Sequence, residues 1–175
     1  ITEKTNRLIN RGNYEILVVS EEKFSKNLRN NLNYISALKE LKILLNKELI
    51  EKYKNKKIKF NIQEYLLEIE HISKINKETI EDYIKVIKNI PDGVVYSIVL
   101  RLRELFMIKK FLSNQKYSKM EFLKFVGDEI YSAYLRVKRN EKEINNILPS
   151  NLGGILSLSE KWIKELKERK KALKV

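Results

Sequence analysis

Leu28, Leu32, Ile35, Leu38, Leu41, Leu45 and Leu49 follow one another at spacings of three and four. That rhythm puts them on one helical face and predicts a continuous amphipathic helix, capped by Ser20 and running to about Lys52. Glu21 and Glu22 suit its positive end. A lysine-rich break follows at 52–60. Asn61, with Glu64 at capping-box spacing, then opens a second helix, and Asn76 opens a third over about 77–89. Pro91-Asp92-Gly93 punctuates the chain. The stretch Val94–Ser113 is apolar on almost every side and reads as the central buried helix. Ser118 and Glu121 form another capping box, starting a helix at Lys119 that breaks near Gly127-Asp128; a further helix runs from Glu129 to about Asn140. Leu148–Gly154, with Pro149 and two adjacent glycines, reads as a loop before a last helix over about 155–173. Near the start, Glu15–Val19 is a short β-branched run after Gly12-Asn13 and is the one strand candidate.

These elements predict an all-α fold: a bundle of about six or seven helices, with residues 14–19 as its only candidate edge strand. Pro91 divides it into an N-terminal helical subdomain, 1–90, and a C-terminal one, 91–175, packed together as a single compact unit. With 175 residues, 43% of them hydrophobic, the chain can bury a core of that size. It has no apolar run of about 18 residues, so no membrane span is expected. With no cysteine and no signal-peptide pattern, a cytoplasmic setting is the expectation. A first residue of Ile rather than Met fits a piece of a longer protein.

The residue inventory narrows the chemistry. The absence of cysteine excludes thiolate metal sites and cysteine nucleophiles, and His71 is the sole histidine. No phosphate-binding glycine loop, serine elbow or paired-histidine zinc motif occurs. Glu64, Glu68 and His71 share one helical face, and Glu68-x-x-His71 is half of what a two-metal carboxylate bundle requires. A single histidine cannot supply the other half. No metal, no cofactor and no catalytic activity are expected.

Charge points elsewhere. Lys and Arg number 36 against 23 Asp and Glu, a net of +13, which favours polyanionic partners. The competing reading is compositional, since the chain is rich in Ile, Lys and Asn together. Two segments mix cations with aromatics: Lys54, Lys56, Lys57 and Lys59 between Tyr53 and Phe60, and Arg136, Lys138 and Arg139 beside Tyr134. Lysine and arginine neutralise phosphates and tyrosine can stack on a base. Arg101 and Arg103 interrupt the most apolar helix. Either they line a shared anion-binding or partner groove, or Arg101 pairs at the core's edge with Glu104, three residues on. The leading expectation is a non-catalytic module binding nucleic acid, RNA before DNA. The alternative is a helical protein-interaction or assembly domain, with a protein partner or a second copy of itself.

The run Gly93-Val94-Val95-Tyr96-Ser97-Ile98-Val99-Leu100-Arg101-Leu102-Arg103-Glu104-Leu105, followed by Lys116-Tyr117-Ser118 and Ala133-Tyr134, resembles a known element. It is similar to the helical domain that follows the catalytic core in small archaeal nucleotidyltransferase-like proteins, over about residues 92–139. That core uses a Gly-Ser turn and an Asp-x-Asp metal pair. Here the aspartates are Asp82, Asp92 and Asp128, none two apart, and no Gly-Ser occurs. The resemblance therefore implies the helical part without the catalytic part, and no catalytic residue is carried over.

Overall fold

A computed structural model describes residues 19–40, 47–55, 61–86 and 88–172. Among them lie eight helices and no strand: α1 (Glu21–Asn30), α2 (Leu32–Glu40), α3 (Lys47–Lys54), α4 (Ile62–Lys85), α5 (Asp92–Leu112), α6 (Lys119–Val126), α7 (Asp128–Lys138) and α8 (Pro149–Ala172). The fold is all-α, as the apolar spacing predicts. The candidate strand at 14–19 lies outside the described residues except for Val19, which is irregular. None of the described helices is long and apolar enough to cross a membrane.

Three caps form where the sequence places them. The Ser20 hydroxyl accepts from the Lys23 amide, the Asn61 side chain from the Glu64 amide, and the Ser118 hydroxyl from the Glu121 amide. Each satisfies an amide that the first helical turn leaves without a partner. Three other boundaries differ from expectation. The long leucine stripe is broken at Asn31, whose backbone is extended and whose side chain accepts from the Asn33 amide at 2.9 Å. Asparagine offers the chain that local alternative to helical pairing. Conversely, Asn76 starts no helix: α4 passes through it unbroken. The expected loop at 148–154 is the first turn of α8, with Pro149 at its opening, where a missing amide costs nothing. Burial of Leu152 and Ile155 holds Gly153 and Gly154 inside the helix.

Helix α5 is the axis of the molecule. Val95, Val99, Leu102, Leu105 and Ile108 on it are fully buried, with α4, α7 and α8 packed around them. Leu66, Ile69 and Ile80 of α4 belong to the same cluster as Phe122, Ala133, Leu152 and Trp162, so the main core passes straight across Pro91. A smaller cluster of Leu28, Ile35, Leu38 and Tyr53 joins α1, α2 and α3, and Phe111 touches both. The change between clusters therefore falls between Tyr53 and Ile62, upstream of the expected boundary at Pro91. Gly127, at φ +78°, turns the chain from α6 into α7 in the left-handed region that a side chain would disfavour.

One polar knot fixes the far end of α5. Asp92, fully buried at the helix start, accepts from Arg136 of α7 through both carboxylate oxygens, at 2.6 and 2.9 Å. It also accepts the Ile144 amide at 3.1 Å, and its own amide donates to the Asn145 side chain at 2.8 Å. Beside it Ile90 and Ile147 form an isolated antiparallel bridge. The connection from α7 to α8 is thereby tied to α5. Arg136, expected on a phosphate, is instead part of the fold.

Two outcomes follow for stability. Leu102→Ala should lower it by about 2–5 kcal/mol, since no solvent reaches that side chain, whereas Met120→Ala should stay within about 0.5 kcal/mol. Urea denaturation of both variants measures the contrast. Asp92→Asn should cost about 2–3 kcal/mol, less than the ~3–5 kcal/mol of a fully buried broken pair because Arg136 keeps an edge to water. Its pH dependence has a definite sign. Hydrogen bonding from Arg136 holds the Asp92 carboxyl below its ordinary range. The stabilisation is then complete above the unfolded-state value of about 3.9 and is lost as pH falls through the lower folded value. Wild type and variant should differ fully at pH 7 and converge in acid; a gap that stayed constant below pH 4 would contradict the pairing.

Candidate functional site

Leu66, Ile69, Ser73, Asn76 and Ile80 form one stripe along α4 at spacings of three and four. Its ends are buried and apolar, but its two middle positions are polar. The stripe faces α5 and α8, so Ser73 and Asn76 are carried into an interface that their side chains do not match.

At that level the interface opens into a groove. Lys77 of α4 reaches Glu160 of α8 at 2.7 Å, and Lys167 of α8 reaches Glu70 of α4 at 2.6 Å. The reversed order of the numbers shows the two helices antiparallel, clasped at two points about 10 Å apart along the axis. Between the clasps lies a cavity of about 410 Å³, within the ~300–1,000 Å³ typical of ligand pockets. Ile98 and Arg101 of α5 contribute from below, and Leu156 and Ile163 of α8 give an apolar wall. Lys74 and Lys164 stand at the rim, exposed, and pair with no described acid.

The lining holds three polar atoms that are cut off from solvent and have no hydrogen-bond partner: Oγ of Ser73, Nδ2 of Asn76 and Nε of Arg101. Asn76 is only 7% exposed. Buried polar atoms are nearly always paired, so three orphans on one cavity are unusual. Two of them, the amide nitrogen and the guanidinium nitrogen, can only donate; the hydroxyl does either. Unused donors therefore lie just behind the groove's lining, and cations stand at its mouth.

Arg101 is held in place by Glu104, which it meets at 2.7 Å. Burial pushes the Glu104 carboxyl up, while Arg101 and the Tyr65 hydroxyl pull it back down. Burial also pushes the Tyr65 hydroxyl above its ordinary range. Arg103 lies elsewhere. Two residues along a helix are about 200° apart, and Arg103 rests over the Tyr117 ring at 5.4 Å and near the Tyr134 hydroxyl at 3.5 Å. The two arginines do not share a groove, because helical geometry sends them to opposite sides of α5.

The other expected contacts are dispersed. Lys54 is exposed at the end of α3, and Lys56, Lys57 and Lys59 lie outside the described residues. Tyr134 is 2% exposed and stacks on Tyr96 and Tyr131, with centroids at 5.1 and 5.4 Å, so its ring offers no face to a base. Arg136 is held by Asp92, leaving Lys138 and Arg139 as the solvent-facing members of that group. Arg139 sits 3.6 Å from Glu141 at the surface. Glu64, Glu68 and His71 all face solvent, and no metal-binding cluster of acids and histidine occurs among the described residues. Reading Asn76 as a cap passes over the groove; the legible signal is the pair of polar residues in the middle of an apolar stripe. Comparison of the chain with protein-family models, with curated proteins and with solved structures finds no match.

Proposed function

We propose that the protein is a non-catalytic helical module that binds nucleic acid, RNA before DNA, by neutralising backbone phosphates. The observation that carries this reading is the convergence of four lysines from two helices, Lys74, Lys77, Lys164 and Lys167, on the rim of one groove, where they outnumber the three acids Glu70, Glu160 and Glu168. They sit in a chain of net charge +13. Lys77 and Lys167 are already paired, so Lys74 and Lys164 are the pair best placed to displace counterions. Exposed Lys54, Lys138 and Arg139 extend the positive surface.

A protein-interaction or assembly role is the second reading. It is favoured by apolar side chains left in solvent: Leu67 and Ile75 along α4, Ile84 and Val86 at its end, and Met120 and Phe125 on α6. In that reading the likeness of residues 92–139 to a nucleotidyltransferase-associated helical domain would make the chain an appendage of a larger protein.

Fluorescence anisotropy with a single-stranded RNA, repeated from 50 to 300 mM salt, tests the first reading. With about four phosphates neutralised on a single strand, log Kd should change with log salt with a slope of magnitude about 3. Lys74→Ala with Lys164→Ala should reduce that magnitude by about 1–2. Binding no tighter than about 10⁻⁴ M at 150 mM salt would remove the nucleic-acid reading. A dimer by size exclusion would then favour the second.

A further inference from the structure

We infer that the groove between α4 and α8 is a pocket for a single nucleotide, its base seated between the helices and its phosphate at Lys74 and Lys164. Asn76 Nδ2 and Arg101 Nε each need an acceptor, and Ser73 Oγ accepts or donates. A hydrocarbon ligand would leave all three as they are. Inorganic phosphate would leave the apolar wall of Leu156, backed by the buried Ile98 and Ile163, without a partner. The occupant must combine an apolar, ring-sized body with acceptor atoms on its edge and an anionic group at the rim. A nucleotide has that form, because base edges carry carbonyl oxygens and ring nitrogens as acceptors.

Dimensions agree. About 410 Å³ accommodates a mononucleotide and excludes a folded segment such as a helix. The two cross-helix ion pairs close the ends of the groove, so a ligand enters from the side where Lys74 and Lys164 stand. The orphan atoms are nearly sealed from solvent, and the small side-chain rotations common on binding would bring them into contact. Arg101 can hold its position meanwhile, because Glu104 retains its terminal nitrogen. The same chemistry is offered by a free mononucleotide and by one unstacked residue of a single strand. Only the second of these rests on the nucleic-acid reading above.

The test follows the methyl resonances of Ile98, Leu156 and Ile163 by NMR during titration with UMP, AMP, a short oligouridylate and inorganic phosphate. Saturable shifts at all three methyls are expected with a nucleotide or with the oligonucleotide, and not with inorganic phosphate. Shifts from UMP or AMP assign the pocket to free nucleotides; shifts from the oligonucleotide alone assign it to a strand residue. Asn76→Leu extends the apolar stripe of α4, leaving Ser73 as its one polar member, so the fold should stand while affinity falls about tenfold or more. Ser73→Ala, a smaller change, should weaken binding in the same direction. The inference is overturned if none of the nucleotide probes moves these methyls, or if Asn76→Leu binds as well as wild type. Oligonucleotide binding that is steeply salt-dependent but leaves the methyls unmoved would sink the pocket and spare the nucleic-acid reading. Methyl shifts from UMP or AMP without any oligonucleotide binding would do the reverse.

Discussion

A helix buried on nearly every side cannot carry a charge without a partner for it, and α5 carries six: Asp92, Arg101, Arg103, Glu104, Lys109 and Lys110. Most of these recruit a neighbour from another helix. Asp92 takes Arg136 of α7, Lys109 takes Glu165 of α8 and Lys110 takes Glu121 of α6. Arg101 and Glu104 take each other, with Tyr65 of α4 as third member, while Arg103 rests among tyrosines. The apolar surface of α5 would accept many packings. Its charges accept few, because a misplaced neighbour would leave one of them buried alone, at a cost of several kcal/mol. Apolar burial supplies the driving force here, and the charges select one arrangement of α4, α6, α7 and α8.

The same constraint explains the groove. Of the six charged side chains of α5, five have no buried polar atom left without a hydrogen-bond partner. Arg101 is the exception, since its terminal nitrogen is satisfied by Glu104 while Nε is not. Ser73 and Asn76 line the same space from α4, on a stripe whose other members, Leu66, Ile69 and Ile80, are buried and apolar. Leucine at those two positions would remove the unpaired polar atoms. Polar residues at otherwise apolar positions of a stripe are a departure from local consistency, and such departures concentrate at functional sites.

What the sequence revealed follows the range of the interactions involved. Ser20, Asn61 and Ser118 were legible as caps because a cap is made within three residues. Asn31 and Asn76 were not, although they are the same residue type as Asn61. At 31 a side chain turned onto the amide two residues ahead breaks the helix, and at 76 contact with α5 and α8 carries the helix through. Pro149 and the two glycines after it look like a loop until Leu152 and Ile155 are seen to be buried. Two of the candidate site residues are taken up by the fold for a related reason. Arg136 is a free cation in any window of ten residues, and its partner lies 44 positions away. Tyr134 next to cations suggests base stacking until Tyr96, on another helix, is found against it.

Long-range pairing also changes what the net charge means. A lysine already held by a carboxylate has fewer counterions to release when a phosphate arrives, so it adds less to salt-dependent affinity than its formal charge implies. The cations that matter are therefore those whose acids lie elsewhere. Around the groove the ion pairs Lys77–Glu160 and Lys167–Glu70 act on geometry, holding α4 against α8, and leave Lys74 and Lys164 as the free charges between them. The two clasps fix the backbones that carry Lys74 and Lys164 while leaving those side chains unpaired at the surface. A contact made by either lysine would then pay only for ordering its own side chain, not for bringing the two helices together.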